Sequence, residues 1–218
     1  MGTTDWKWKV AQKAEIKWWQ SYLKGKDIES YLAWKKQYWQ DLYSQVVPSI
    51  NPMAISNVLD VGCGPAGIFM IFPEYVQVLA LDPLLDSYEK NLTHFNPQWY
   101  KNVRFVSKPF EQFNTEEKFD LVFCMNVINH VQQIELCYDL LVRSMKDNGT
   151  LVVTIDAHNF QFFKYLFRIL PGDILHPHQY DLEEYKNHLT SRGLTIISEK
   201  KLKSEFFFDH WMLIAKKS

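Results

Sequence analysis

The feature that most constrains the fold of this chain is a glycine-rich segment directly after a short apolar run. Val58–Val61 is the run, and Gly62, Gly64 and Gly67 follow it at the spacing GxGxxG. Glycines at this spacing permit a tight turn and let backbone N–H groups approach a ligand closely at the start of a helix. A strand, a glycine loop and a helix in this order are typical of a nucleotide-binding βαβ unit.

The following residues continue the alternation of strands and helices that such a unit needs. The strand candidates are Val58–Val61, Val76–Leu81, Val103–Val106, Phe119–Met125 and Thr150–Ile155. The intervening helix candidates are Ala66–Phe72, Leu84–Leu92, Gln132–Lys146 and Phe160–Leu170. This alternation predicts an α/β fold with a doubly wound, mostly parallel sheet and helices on both faces.

The C-terminal part ends the sheet differently. A helix over Asp181–Arg192 stops at Gly193, a good residue for a helix C-terminus. Two strands follow, Leu194–Leu202 and Phe206–Ala215, and only a few residues join them. Because so short a connection makes an antiparallel hairpin, the sequence predicts seven strands, one of them antiparallel to the rest.

Tryptophan is concentrated at the N-terminus. Six of the eight tryptophans lie in the first 39 residues: Trp6, Trp8, Trp18, Trp19, Trp34 and Trp39. Apolar spacing predicts two helices within residues 5–47, separated at Gly25. Asp27 is expected to cap the N-terminus of the second helix, and Pro48 to end it. We expect residues 1–47 to form a helical lid over a core of residues 57–218. Packing alone and an interfacial membrane helix are the alternatives.

Composition restricts the partners and the compartment. The chain has 24 basic and 25 acidic residues and a net charge of −1, which argues against dependence on nucleic acid. Three cysteines without a CxxC pair predict a reducing, cytoplasmic setting and no closed zinc site. No run approaches the ~18 apolar residues of a membrane span. We therefore expect a small-molecule partner, no nucleic acid and no membrane, and a homodimer stays open.

Two carboxylates restrict the class of ligand that this loop can bind. Asp82 ends the second strand about 20 residues after Gly62, where a carboxylate can accept hydrogen bonds from ribose hydroxyls. Asp60 precedes Gly62 by two residues, so it would repel a dinucleotide's pyrophosphate and suits a cationic ligand. An NAD(P)-dependent oxidoreductase is thus the weaker alternative. The second alternative is a catalytically silent partner subunit with the same fold. Such a subunit is expected to have a damaged glycine loop, whereas the glycine loop of this chain is intact.

The motifs together resemble the class I S-adenosylmethionine-dependent methyltransferases, in their small-molecule branch. The similar segments, from the first motif to the turn before the fifth strand, are Leu59–Gly64, Ala80–Pro83, Phe119–Phe123, Asn126–Val131 and Met145–Leu151. The resemblance covers Asn57 to the C-terminus. It implies a Rossmann-like fold, S-adenosylmethionine as cofactor, and methyl transfer to an oxygen or nitrogen of a small acceptor.

The resemblance also implies the cofactor site. Glycine-loop backbone would line the methionine part, Asp60 would face its amino group, and Asp82 would hold the ribose. Lys108 stands near where the family often has an acid for the adenine, so Phe110 is expected to stack there instead. The residues carried over are Asp60, Gly62, Cys63, Gly64, Asp82, Pro83, Phe110, Asn126 and Val127.

The acceptor side is predicted from polar and aromatic residues near the strand ends. His130 is the candidate base, because an imidazole with a pKa near ~6.5 can take a proton at neutral pH. The predicted acceptor contacts are Trp18, Tyr22, Asp156, His158, His176, His178 and Tyr180. His176 and His178 with Asp173 could also chelate a metal, but the sequence provides no further fixed ligand, and we predict none.

Overall fold

The structure is a computed structural model that describes residues 3–158, 180–206 and 208–217, without the side chains of residues 3–9 and 11. The strands are β1 Asn57–Val61, β2 Gln77–Leu81, β3 Val103–Val106, β4 Phe119–Met125, β5 Met145–His158, β6 Leu194–Ser204 and β7 Phe208–Lys217. The helices are α1 Thr3–Leu23, α2 Ile28–Val46, α3 Leu85–Asn91, α4 Ile134–Ser144 and α5 Leu182–Thr190. Short 3-10 helices lie at Val47–Ser49, Pro52–Ala54, Ile68–Ile71, Pro97–Trp99 and Phe110–Gln112.

The sheet has seven strands in the order β3-β2-β1-β4-β5-β7-β6. The strands from β3 to β5 pair in parallel, and β7 is antiparallel to both β5 and β6. The predicted Rossmann-like sheet and its C-terminal hairpin are therefore confirmed. The strand order reverses between β1 and β4, and this is where ligands bind in open α/β sheets, beyond the carboxyl ends of the strands.

Both faces of the sheet are covered, which explains why the parallel strands read as continuous apolar runs. Successive β1 residues alternate between two cores. Leu59 and Val61 pack with residues of α4 and α5. Val58 packs on the other face with residues of α2 and α3. Asp60 shares the Val58 face because side chains alternate along a strand. The one carboxylate of β1 thus lies beneath the N-terminal helices.

The two predicted N-terminal helices are present. Gly25 has φ of 76°, and the Asp27 side chain accepts a hydrogen bond from Ser30 N at 2.9 Å at the start of α2. Further along α2, Leu42 and Val46 are buried in the core of the sheet. The helix α2 therefore contributes to the main core, and through Trp39 it also contacts the glycine loop. The division into lid and core stays a prediction.

Two predicted elements were wrong in extent. The helix expected at Ala66–Phe72 is only a 3-10 turn, because Gly67 is extended (φ −82°, ψ −177°). β5 begins at Met145 rather than Thr150, and a bulge separates the Phe119–Met145 pair from the Leu121–Thr150 pair. The helix predicted at Phe160–Leu170 lies outside the described residues.

No helix within residues 3–158, 180–206 and 208–217 combines the length and apolar character needed to cross a bilayer.

Candidate active site

The glycine loop is tied to the end of β2. Gly62 N and Cys63 N donate to the carbonyl oxygen of Leu81 at 2.7 and 3.1 Å. Gly62 has φ of 65°, and a Cβ added there would lie 2.2 Å from Val127 Cγ2. Only glycine allows both this conformation and this approach. The loop therefore runs directly against the segment after β4 that carries Val127.

Two buried carboxyl groups lie behind the loop. Asp60 accepts a hydrogen bond from Phe69 N at 3.1 Å. Asp82 accepts from Gly64 N at 3.0 Å and from Leu84 N at 2.8 Å. The pKa of each carboxyl is raised to about 7, mainly by burial, and the charge of Asp82 contributes to the rise at Asp60. Because the two groups repel each other, a ligand with a positive charge would favour their ionised forms.

A cavity of about 90 Å³ opens beside the loop. Its walls bring together the predicted Pro83, Phe110, Val127 and His130. The other lining residues are Gly62, Leu81, Lys108, Pro109, Glu111 and Val131. Glu111 was missed by the sequence analysis, and its carboxylate accepts from Gln132 N at 2.8 Å. An acidic side chain thus does lie in this wall, three residues after Lys108.

The segment after β4 is held in place from β5. Asn126 has φ of 57°, and its N–H donates to Thr154 Oγ1 at 2.8 Å. His130 N donates to the Val127 carbonyl at 2.9 Å, which folds the segment into a turn. The His130 side chain is exposed at the cavity wall. Its role as a base stays a prediction.

The helix α1 lies over the glycine loop through Trp19. A Cβ added to Gly64 would be 3.9 Å from Trp19 Cζ2. The predicted acceptor contact Trp18 is 55% exposed and stacks on Tyr22, with ring centroids 5.0 Å apart. Trp19 is therefore the ring beside the glycine loop, and the sequence analysis did not predict it as a site residue. Helical spacing alone does not tell which of two adjacent tryptophans faces inward.

A lysine of α2 also reaches this region and was missed. Lys35 Nζ lies 4.7 Å from the ring centroid of Trp39 and 5.1 Å from that of Tyr38. Burial lowers its pKa to about 8, and the nearby charge of Asp60 acts in the opposite direction. The i, i+4 spacing from Lys35 to Trp39 is the sequence signal that could have placed this lysine beside the ring. The Trp39 indole Nε1–H in turn donates to the Ala66 carbonyl at 2.8 Å.

The remaining predicted acceptor residues are spread along the end of β5. His158 is buried, and its N–H donates to the Tyr180 carbonyl at 3.0 Å. The Tyr180 ring packs on Tyr185 and His188 of α5, with centroids 5.5 and 5.2 Å apart. Asp156 Oδ1 lies 2.7 Å from His210 Nδ1. The predicted His176 and His178, together with Asp173, lie outside the described residues.

Comparison with known proteins identifies the family to which this chain is similar. Residues 54–207 match a family model described as a methyltransferase domain. A ubiquinone biosynthesis O-methyltransferase of Nitrobacter winogradskyi is 25% identical over 177 residues, which span 76% of this chain and 66% of that protein. The match thus covers about two thirds of the relative's length.

Two crystal structures have the same fold. The N-methyltransferase NodS from Bradyrhizobium japonicum WM9, in complex with S-adenosylhomocysteine, has a TM-score of 0.62, 17% identity and 90% coverage of both chains. The 1,6-didemethyltoxoflavin-N1-methyltransferase of Burkholderia thailandensis, with its substrate and S-adenosylhomocysteine, has a TM-score of 0.64 and 15% identity. That match covers 100% of this chain and 92% of the other. With the family match over most of its length, this chain belongs to the class I S-adenosylmethionine-dependent methyltransferases.

Proposed function

We propose that this methyltransferase acts on a hydroxyl or amino group of a small aromatic acceptor, with a phenolic oxygen as the first choice. The observation that carries the proposal is the aromatic surface of Trp19, Trp18 and Tyr22 beside the glycine loop. The relative in Nitrobacter winogradskyi is named an O-methyltransferase, and the two structural neighbours are N-methyltransferases. Oxygen and nitrogen acceptors therefore both enter the tests.

The residues around the glycine loop fit S-adenosylmethionine. The positive φ angles of Gly62 and Gly64 create a cradle that side chains would fill. Each oxygen of Asp82 already accepts one backbone hydrogen bond, and a carboxylate oxygen can accept a second, here from a ribose hydroxyl. When bound, the cofactor supplies an electrophilic methyl group on a sulfonium. Asp60 lies where its negative charge favours a cation.

Lys35 supplies the opposite charge to the same end of the site. An amino-acid moiety carries both an ammonium and a carboxylate, and Asp60 suits the first of these. Lys35 is close enough to Asp60 for their charges to interact, so we place the cofactor's carboxylate against its ammonium. Its aromatic neighbours restrict the side chain, which lowers the entropy lost when it pairs.

The acceptor belongs under α1 and α2 in this proposal. Trp19 lies next to the glycine loop, and the stacked Trp18 and Tyr22 continue the aromatic surface outward. Flat rings of this kind suit an aromatic acceptor through stacking. Their position beside the loop supports a lid that excludes water from the methyl group. His130 is the base candidate from the sequence, and a homodimer and a cytoplasmic location stay predictions.

Calorimetry with S-adenosylhomocysteine tests the cofactor part. We expect Asp82→Ala to weaken binding by about 1–3 kcal/mol, because a charged acceptor is lost. Asp86→Ala, which removes an exposed carboxylate four residues further on, is the matched control and should bind normally. Equal affinities for the two variants would contradict the ribose assignment.

Transfer of a labelled methyl group tests the acceptor part. Phenols, catechols, primary aromatic amines, aliphatic amines and thiols are each incubated with the enzyme and labelled S-adenosylmethionine. We expect turnover with at least one hydroxylated aromatic. Turnover confined to aliphatic amines or thiols would contradict the proposed acceptor class.

A further inference from the structure

A hydrogen-bonded carboxylate and imidazole lie one strand beyond the loop that follows β4. Asp156 Oδ1 and His210 Nδ1 are 2.7 Å apart, and both side chains are partly exposed, at 31% and 23%. The two residues are directly opposite each other on β5 and β7. A sequence scan does not detect this pair, because 54 residues separate its members.

The strand register places the pair at the ligand-binding edge of the sheet. Met125, the last residue of β4, pairs with Thr154, so Asp156 lies beyond the end of β4. Side chains two apart on a strand share a face, so Asp156 lies on the same face as Thr154. Thr154 Oγ1 accepts from Asn126 N, which is a predicted cofactor residue. The pair thus lies beyond the carboxyl end of β4, near the segment that carries Asn126.

Asn129 links the pair to that loop. Its Nδ2 donates to the Asp156 carbonyl at 3.2 Å. Asn129 is 2% exposed, and among the described residues its Oδ1 has no hydrogen-bond partner. A buried amide oxygen without a partner is costly, so a donor group is expected there when the site is filled. The backbone of Asp156 is therefore held by the same turn that carries His130.

The charged groups around His210 are few. On its face, β5 contributes Asp156 and His158, and β6 contributes Lys203, which is opposite His210. Hydrogen bonding to Glu205 raises the pKa of Lys203, and Asp156 raises it further. On the other face of β7, Asp209 pairs with Lys201. Asp156 is the one partner that contacts the imidazole among the residues described.

We propose that His210, oriented by Asp156, takes the proton from the acceptor's hydroxyl group during methyl transfer. A carboxylate at Nδ1 favours the tautomer with its proton on Nδ1, which leaves Nε2 to accept. A phenol with a pKa of about 10 needs such a base at neutral pH. This inference rests on the proposed phenolic acceptor and assigns the base to His210 in place of His130.

The proposed step is balanced in atoms and electrons. The hydroxyl proton passes to Nε2 of His210 while an oxygen lone pair forms the new bond to the methyl carbon. The carbon–sulfur bond breaks, and its electron pair stays on the sulfur of the departing thioether. The imidazolium then releases its proton to water.

The test uses 4-nitrocatechol, whose absorbance changes when its hydroxyl group ionises. The probe is titrated into the full-length enzyme saturated with S-adenosylhomocysteine, so the readout does not depend on turnover. We expect the bound probe to ionise at least one pH unit below the free probe in the wild type. His210→Gln, which can still donate to Asp156, should lose this shift, while His130→Gln should keep it.

Asp156→Asn supplies the second variant. It should bind the probe and shift its ionisation less than the wild type, since the amide no longer holds the imidazole in the tautomer that accepts at Nε2. With an acceptor that is turned over, His210→Gln should lower kcat at least tenfold with little change in S-adenosylhomocysteine affinity. Added imidazole should partly restore turnover in His210→Ala.

Three results would overturn the inference. The first is an unchanged ionisation shift in His210→Gln, and the second is its loss in His130→Gln alone, which would return the base to His130. The third is no binding of 4-nitrocatechol, because a phenol then has no place against His210. Retained S-adenosylhomocysteine binding in that sample would keep the cofactor assignment separate from this failure.

Discussion

Cofactor binding should depend steeply on pH, because the carboxyl groups of Asp60 and Asp82 have pKa values raised to about 7 by burial. In the proposed binding mode both are ionised, Asp60 facing the ammonium of the cofactor and Asp82 its ribose hydroxyls. At pH 6 a carboxyl with a pKa of 7 is about nine-tenths protonated, and ionising it costs about 1.4 kcal/mol. We therefore expect the affinity for S-adenosylhomocysteine to rise between tenfold and a hundredfold from pH 6 to pH 8, for one or both carboxyls.

Above pH 8 the affinity should fall again. Lys35 has a pKa lowered to about 8, so it loses its charge there and with it the attraction for the cofactor's carboxylate. Lys35→Met should remove this alkaline decline and leave the acidic limb. Isothermal titration calorimetry in buffers of different ionisation enthalpy measures both the affinity and the protons released. About one to two protons should be released at pH 6.

The same carboxyl groups affect folding in the absence of cofactor. Because their pKa values are raised in the folded state, they favour folding when protonated. Stability of the free protein should therefore fall as the pH rises from about 4 to about 7. Asp82→Asn should flatten both the stability profile and the acidic limb of cofactor binding. A flat affinity between pH 6 and 8, with no proton release, would refute the reasoning.

Other substitutions test the loop and the helices above it. Gly67→Ala should lower the free energy of unfolding by about 1–3 kcal/mol in urea titrations, because the added Cβ would lie 2.4 Å from a backbone oxygen. Trp39→Phe should cost about 1–3 kcal/mol in the same assay, because the buried Ala66 carbonyl loses its donor. Trp19→Ala should weaken S-adenosylhomocysteine binding several-fold, whereas Trp18→Ala should leave it unchanged and raise the acceptor KM. Equal effects of the two tryptophans on cofactor affinity would contradict their assignment.

Much of the core was predictable because its signals are local. The apolar runs of β1 and β4, the spacing of the glycines and the cap at Asp27 all depend on neighbouring residues. The doubly wound sheet followed from the alternation of strands and helices, and the antiparallel hairpin from the short connection before β7. Pro83 and Val127 were predicted from motifs as cofactor residues, and both line the same cavity.

The parts that sequence reasoning missed depend on contacts between distant segments. Glu111 enters the cavity wall because a 3-10 turn directs it toward Gln132. The charge of Lys35 interacts with that of Asp60, which is 25 residues away in the sequence and not specified by helical periodicity. The expected helix after the glycine loop is shortened because Gly67 is extended and Phe69 N bonds to Asp60.

The hydrogen bond from Trp39 to Ala66 has a consequence for engineering this enzyme. It joins the segment that would select the acceptor to the loop that would hold the cofactor, and Leu42 and Val46 of the same helix fill the core. The N-terminal helices are therefore a poor unit for exchange between relatives. New acceptor specificity is better sought at Trp18 and Tyr22, whose change leaves the anchoring turn of α2 intact.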